Sequence, residues 1–84
     1  MTAILFCLED CIKCTFVKEQ IKTEGIKVIT LEKEGPDVWG AEECELVQKY
    51  DIIEDLKRTA PILVLEDGTK IIGQLRIMRW LQNA

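Results

Sequence analysis

Residues 3–14, AILFCLEDCIKC, carry the strongest structural signal in the sequence. The first six form a continuous apolar run, which is typical of a strand buried on both faces of a sheet. A helical pattern begins at Cys11, because Cys14, Val17 and Ile21 then fall on one side of a helix. A buried strand that leads into a helix is the first half of a βαβ unit, and two thiols lie at its junction.

The spacing of Cys11 and Cys14 is suited to dithiol chemistry. Two cysteines three positions apart at a helix start can be bridged, and the unpaired N–H groups of the first turn stabilise a thiolate. We expect Cys11 at the exposed helix end and Cys14 towards the core. Cys11 would attack a disulfide, and Cys14 would then attack Cys11 and release the reduced substrate. Lys13 either lowers a thiol pKa or is only a solvated lysine, whereas Glu9 and Asp10 act to raise it.

Composition limits the classes of protein to which the chain can belong. Its 84 residues, 48% of them hydrophobic, suffice for one compact core, so we expect a single domain over residues 1–84. The net charge of −4 argues against nucleic acid and anionic membranes as partners. Without a basic n-region or a long apolar run, the expected location is the reducing cytoplasm. No histidine is present, which excludes a Cys–His nucleophile pair and a mixed Cys/His zinc site.

The remaining pattern predicts further strands and helices. The expected strands cover residues 3–8, 26–31, 62–65 and 70–72. The expected helices cover residues 11–24, 38–50 and 74–83, with one or two further helical turns over 51–58. Gly25 is expected to end the first helix, and Asp67-Gly68 predicts a two-residue hairpin loop. In the last helix, Leu75, Met78 and Leu81 are expected to form the buried stripe.

This order, βαβαββα, predicts an α/β fold. The first two strands should be parallel, and the hairpin should add antiparallel partners to give a mixed four-stranded sheet. Helices should cover both faces of that sheet.

The chain resembles the glutaredoxin branch of the thioredoxin-like superfamily over almost its whole length. The resemblance lies in the CIKC motif of residues 11–14 after the first strand, the Thr59-Ala60-Pro61 segment before the third, and the Gly73 turn before the last helix. It implies a thioredoxin-like fold and a thiol–disulfide oxidoreductase that carries electrons through a redox-active dithiol. It also implies that Pro61 has a cis peptide bond and faces the cysteine pair.

The resemblance further implies which residues act. The catalytic pair would be Cys11, the nucleophile, and Cys14, the resolving thiol. The substrate-binding residues would be Lys13, Thr59, Ala60, Pro61, Gly73 and Gln74. Within this set, the backbone groups of Ala60 would bind an extended substrate segment.

Two departures from the family pattern bear on glutathione. Leu8 stands where glutathione-using members usually have a basic residue, and Gly73-Gln74 stands in place of their double glycine. Gln74 or Arg76, near a helix N-terminus, could still bind a glutathione carboxylate. The expected substrates are therefore disulfide-containing proteins, and glutathione as a co-substrate stays open beside recycling by a thioredoxin-reductase-type flavoenzyme. We expect a monomer with no tightly bound cofactor.

Other functions could use the same residues. Four cysteines could bind a metal ion or an iron–sulfur cluster, although a single C-x-x-C lacks the paired spacing of a structural zinc site. A thioredoxin-fold protein that binds a partner without turnover is a third alternative. Ile12 and Phe16 share a helix side away from Cys14, which predicts an apolar contact surface for partner proteins beside Cys11.

Overall fold

A computed structural model describes residues 3–21 and 25–82 of the chain. The strands are β1 (Ala3–Leu8), β2 (Ile26–Leu31), β3 (Ile62–Val64) and β4 (Lys70–Ile72). The helices are α1 (Ile12–Gln20), α2 (Ala41–Lys49), α3 (Ile53–Arg58) and α4 (Gln74–Gln82), and a 3₁₀ turn covers Pro36–Val38. Within this described part, none of the helices has the length and apolar character needed to cross a membrane.

The four strands form one mixed sheet in the order β2-β1-β3-β4. β1 is parallel to β2, with Leu5 opposite Val28, and antiparallel to β3, with Leu5 opposite Leu63. β3 and β4 are antiparallel, with Leu63 opposite Ile71. The predicted α/β class and mixed four-stranded sheet are confirmed, and the central place of β1 explains its uninterrupted apolar sequence.

Helices cover both faces of the sheet because the side chains of β1 alternate between two cores. The first core, under α1 and α4, contains Ala3, Leu5, Cys7, Cys14, Val17, Leu63 and Ile77. The second core, under α2 and α3, contains Phe6, Leu31, Val47, Ile52, Leu56, Ile62 and Val64. Cys7 and Cys14 therefore share one core, whereas the neighbouring Phe6 belongs to the other.

The boundaries of the first two long helices differ from the prediction. α1 ends at Gln20, because Ile21 is already extended with ψ at 110°, and the predicted residues 22–24 lie outside the described residues. The segment that begins at Pro36 forms a separate 3₁₀ turn, so α2 begins only after Gly40. The predicted helical turns over residues 51–58 are confirmed by α3.

The predicted buried stripe of α4 is wrong at Leu75. This side chain is 81% exposed, whereas Ile77 is fully buried and Met78 and Leu81 are partly buried against the first core. Ile77 and Leu81, which are four residues apart on α4, both face the first core. Leu75 lies on the opposite side of the helix and points away from the sheet. The predicted helix end at Asn83 lies outside the described residues.

The β3–β4 hairpin has a longer loop than its Asp-Gly pair predicts. Leu65 N–H donates to the Thr69 carbonyl at 2.8 Å, and Gly68 N–H donates to the Leu65 carbonyl at 2.9 Å. The loop therefore contains three residues, 66–68, and Gly68 takes the left-handed conformation at its end with φ at +91°. Asp67 Oδ1 accepts the Thr69 N–H at 2.9 Å, and this bonding to Thr69 lowers the pKa of the carboxyl.

Candidate functional site

The two cysteines of the CIKC motif lie at the junction between β1 and α1. Cys11 is the N-cap residue of α1, with an extended backbone, and its sulfur accepts the Cys14 N–H at 3.3 Å. The Cys11 carbonyl accepts the Thr15 N–H at 3.0 Å, the first hydrogen bond of the helix. The Cys11 sulfur therefore occupies the acceptor position that a serine or aspartate oxygen holds at most helix starts.

Cys14 lies one helical turn further on and points into the first core. Its side chain is only 1% exposed, while Cys11 is half-buried at the surface. The Cys14 sulfur accepts the Leu8 N–H at 3.4 Å. A partly exposed thiol and a buried thiol thus lie one helical turn apart, which suits intramolecular thiol exchange.

The pKa of the Cys11 thiol lies above its ordinary value, in contrast to the thiolate stabilisation expected at a helix start. Burial is the largest cause, and the hydrogen bond to the Cys14 thiol adds to it. The backbone N–H of Cys14 lowers the pKa, but by less than burial raises it. The N–H groups at a helix start, which lower a thiol pKa, can be predicted from the sequence. The burial that raises the pKa of Cys11 depends on tertiary packing.

The pKa of the Cys14 thiol is raised further. Its hydrogen bond to the Cys7 thiol is the largest cause and burial is the second. Cys14 is therefore a protonated thiol at neutral pH. It would reach its reactive form only when its proton is transferred as it attacks.

Of the two carboxylates before Cys11, Asp10 is paired with Lys33 at 3.3 Å, and both side chains of this ion pair are largely exposed. Asp10 also has a left-handed backbone, with φ at +56°. Sequence reasoning missed Lys33, although the parallel register of Leu8 with Leu31 places residues 10 and 33 at the same sheet end. Lys13 is exposed on α1.

Four of the predicted substrate-binding residues come together at the start of β3. The Ala60–Pro61 peptide bond is cis, as the resemblance to glutaredoxins implies, and Pro61 is buried. Gly73 N–H donates to the Pro61 carbonyl at 3.1 Å, and a methyl group at Gly73 would lie 3.5 Å from Thr59 Cγ2. Ala60 packs against the buried core that contains Cys14, as Cys11 also does.

The last predicted residue, Gln74, is the first residue of α4 and is half-buried. It follows Gly73, whose φ of +97° turns the chain from β4 into the helix. Because α1 and α4 pack together on one face, the starts of the two helices belong to the same layer of the fold.

An open groove of about 450 Å³ runs beside Cys11 along α1. Its lining residues are Asp10, Cys11, Ile12, Thr15, Phe16 and Glu19. Ile12 is 87% exposed and Phe16 is 44% exposed, so the groove has apolar walls open to solvent. Thr15 and Glu19 were not predicted, although their places four and eight residues after Cys11 put them on the same side of the helix.

The fourth cysteine is remote from the other three. Cys44 lies on α2 and lines a separate pocket with Val47 and Ile53, which belong to the second core and its surroundings. Within residues 3–21 and 25–82, no three histidine, cysteine or acidic side chains are arranged as a metal site.

Comparisons of the chain with protein-family models, with curated proteins and with solved structures find no match.

Proposed function

We propose that the chain is a small dithiol oxidoreductase of the glutaredoxin-like type that reduces disulfides in proteins. The observation that carries the proposal is the half-buried Cys11 at the N-cap of α1, whose sulfur accepts the N–H of the buried Cys14 at 3.3 Å. The sheet order β2-β1-β3-β4, with helices on both faces, supports a thioredoxin-like fold.

The reaction has two exchange steps. The Cys11 thiolate attacks one sulfur of the substrate disulfide, so a mixed disulfide forms and the other substrate sulfur leaves as a thiolate that takes up a proton. Cys14 then loses its proton and attacks the Cys11 sulfur, and the second substrate thiol is released. The substrate gains two electrons, and the protein is left with a Cys11–Cys14 disulfide. Glutathione or a thioredoxin-reductase-type flavoenzyme would return it to the dithiol.

The groove beside Cys11 favours protein substrates. Exposed Ile12 and Phe16 offer apolar contacts that a protein segment can bury. Asp10 and Glu19 lie at the same groove and oppose the net negative charge of glutathione. Thr59, Ala60, Pro61 and Gly73 would bind the substrate chain from the β3 side. We place this activity in a monomer in the reducing cytoplasm, where cysteines persist as thiols.

A reductase assay with a folded disulfide protein as substrate tests this proposal. Cys11→Ser should abolish turnover, and Cys14→Ser should stop at the mixed disulfide after a single exchange. Cys44→Ser is the matched control, because Cys44 lies in a different pocket, and it should keep the wild-type rate. Full activity in Cys11→Ser would overturn the proposal.

A further inference from the structure

Cys7 is a nucleophilic group that the proposed mechanism does not use. It lies on the central strand β1, and its side chain is completely buried. A buried cysteine often serves only as a small apolar side chain. The neighbour of Cys7, however, is the resolving thiol Cys14.

The geometry places the Cys14 sulfur at the Cys7 end of β1. The Cys14 sulfur accepts the N–H of Leu8, the residue directly after Cys7, at 3.4 Å. Cys7 and Cys14 belong to the same buried cluster, and hydrogen bonding with the Cys14 thiol lowers the pKa of Cys7. Cys11, which lines the groove, accepts the Cys14 N–H on its sulfur at 3.3 Å, so Cys14 adjoins both the groove cysteine and the core cysteine.

We propose that Cys7 is a third redox-active thiol, which converts the Cys11–Cys14 disulfide into a Cys7–Cys14 disulfide and frees Cys11. The Cys7 sulfur, as thiolate, attacks the Cys14 sulfur. The Cys7–Cys14 bond forms, the Cys11–Cys14 bond breaks, and Cys11 leaves as a thiolate that takes up the proton lost by Cys7. The number of disulfides and the oxidation level of the protein do not change.

The exchange requires the Cys7 and Cys14 sulfurs, which lie in the same buried cluster, to approach to a bond length of about 2.05 Å. During turnover, the Cys11–Cys14 disulfide from which the exchange starts is formed by oxidation of the protein by its substrate. The role of Cys7 in turnover therefore rests on the proposed function. In the purified protein, a small oxidant such as diamide supplies this disulfide, and the diamide is reduced to its hydrazine.

The product differs from the usual oxidised dithiol protein in what it exposes. Its disulfide is enclosed in the core, and Cys11 again presents a free thiol to the groove. That thiol can attack a second disulfide, but Cys14 is occupied and cannot release the bound partner. The oxidised protein would therefore hold a disulfide partner covalently until the buried bond is exchanged back.

The Cys11→Ser/Cys44→Ser variant tests the bond directly, because it keeps only Cys7 and Cys14. After treatment with one equivalent of diamide and acid denaturation, both thiols should resist alkylation, in a monomer that is lighter by two hydrogens. The control variant Cys11→Ser/Cys14→Ala keeps Cys7 on β1 and Cys44 on α2, and both thiols should still react with the alkylating reagent. No substrate enters the experiment, so its result is independent of whether the protein reduces protein disulfides.

A second measurement uses the Cys44→Ser variant, which keeps Cys7, Cys11 and Cys14. The oxidised protein, lighter by two hydrogens, is alkylated in its native state and digested with trypsin, which cleaves after Lys13, and reduction of the disulfide then releases the peptide of residues 1–13 from the peptide that contains Cys14. Fragmentation of the peptide of residues 1–13 should then find the label on Cys11. Two free thiols in folded Cys11→Ser/Cys44→Ser would overturn the proposal. If the Cys11→Ser/Cys44→Ser variant does not fold, the absence of label on Cys11 in the oxidised Cys44→Ser variant would overturn the proposal.

Discussion

Ile77 should be one of the most important side chains for the stability of the fold, and Leu75 one of the least important. Ile77 is fully buried on α4 and belongs to the core that contains Cys14 and Val17. Ile77→Ala removes about three methyl or methylene groups, worth about 2.4 kcal/mol at about 0.8 kcal/mol each. The cavity left behind adds to this, so the free energy of unfolding should fall by about 3–4 kcal/mol.

Leu75→Ala is the matched control on the same helix. Its side chain is 81% exposed, so the free energy of unfolding should change by less than about 0.5 kcal/mol. Urea unfolding of both variants, under reducing conditions and followed by circular dichroism, measures the two changes on one scale.

The size of the Ile77→Ala effect matters for a domain of this length. Folded domains are stable by roughly 0.05–0.15 kcal/mol per residue, so this variant could lose a large part of the total. Ile77→Val, which should cost about 0.5–1.5 kcal/mol, keeps the comparison measurable if the alanine variant unfolds. Equal losses for Leu75→Ala and Ile77→Ala, or a larger loss for Leu75→Ala, would refute the phase of α4 described above.

Three further predictions concern the site. Because the pKa of Cys11 is raised, its thiolate fraction at pH 7 should be below the roughly 3% of an ordinary thiol. Its alkylation rate should therefore still be rising with pH above pH 8.5, and a rate that reaches a plateau below pH 8 would contradict this. Phe16→Ala should raise KM several-fold for a protein disulfide but not for a small disulfide. Val28→Ala, at a similarly exposed position on β2, should leave both KM values unchanged. Equal effects of the two variants would show that the groove does not bind substrate. Gly73→Ala and Gly35→Ala both place a side chain at positive φ and should each cost about 1–2 kcal/mol in urea unfolding. Only Gly73→Ala should also slow thiol–disulfide exchange with a protein substrate, because the Gly73 N–H is hydrogen-bonded to the Pro61 carbonyl. An exchange rate equal to that of the wild type in Gly73→Ala would contradict this.

Much of the fold was predictable because its strongest signals are local. The apolar run of β1 and the β-branched run of β2 are long enough to indicate strands without tertiary information, and the helix after Cys11 follows from spacing. The phase of α4 was not predictable in this way. Apolar residues are present on several sides of that helix, and only packing against the sheet selects Ile77 over Leu75.

The site was predictable in its residues but not in its electrostatics. The positions of Cys11 and Cys14 follow from the C-x-x-C spacing at a strand–helix junction. The direction of the Cys11 pKa shift depends on how far packing removes water from the sulfur, which no spacing reports. The proximity of Cys7 to Cys14 depends on how α1 packs on β1, and the pairing of Lys33 with Asp10 depends on the register of β1 and β2, so neither could be predicted from local sequence.

The most direct test of the proposed chemistry is to trap its intermediate on a named sulfur. Cys14→Ser is mixed with a protein disulfide substrate, quenched with acid, and the covalent complex is mapped by mass spectrometry. The mechanism predicts a mixed disulfide on Cys11 in this variant and no complex in Cys11→Ser. A complex attached to another cysteine, or one that forms equally in Cys11→Ser, would contradict the assignment of Cys11 as the nucleophile.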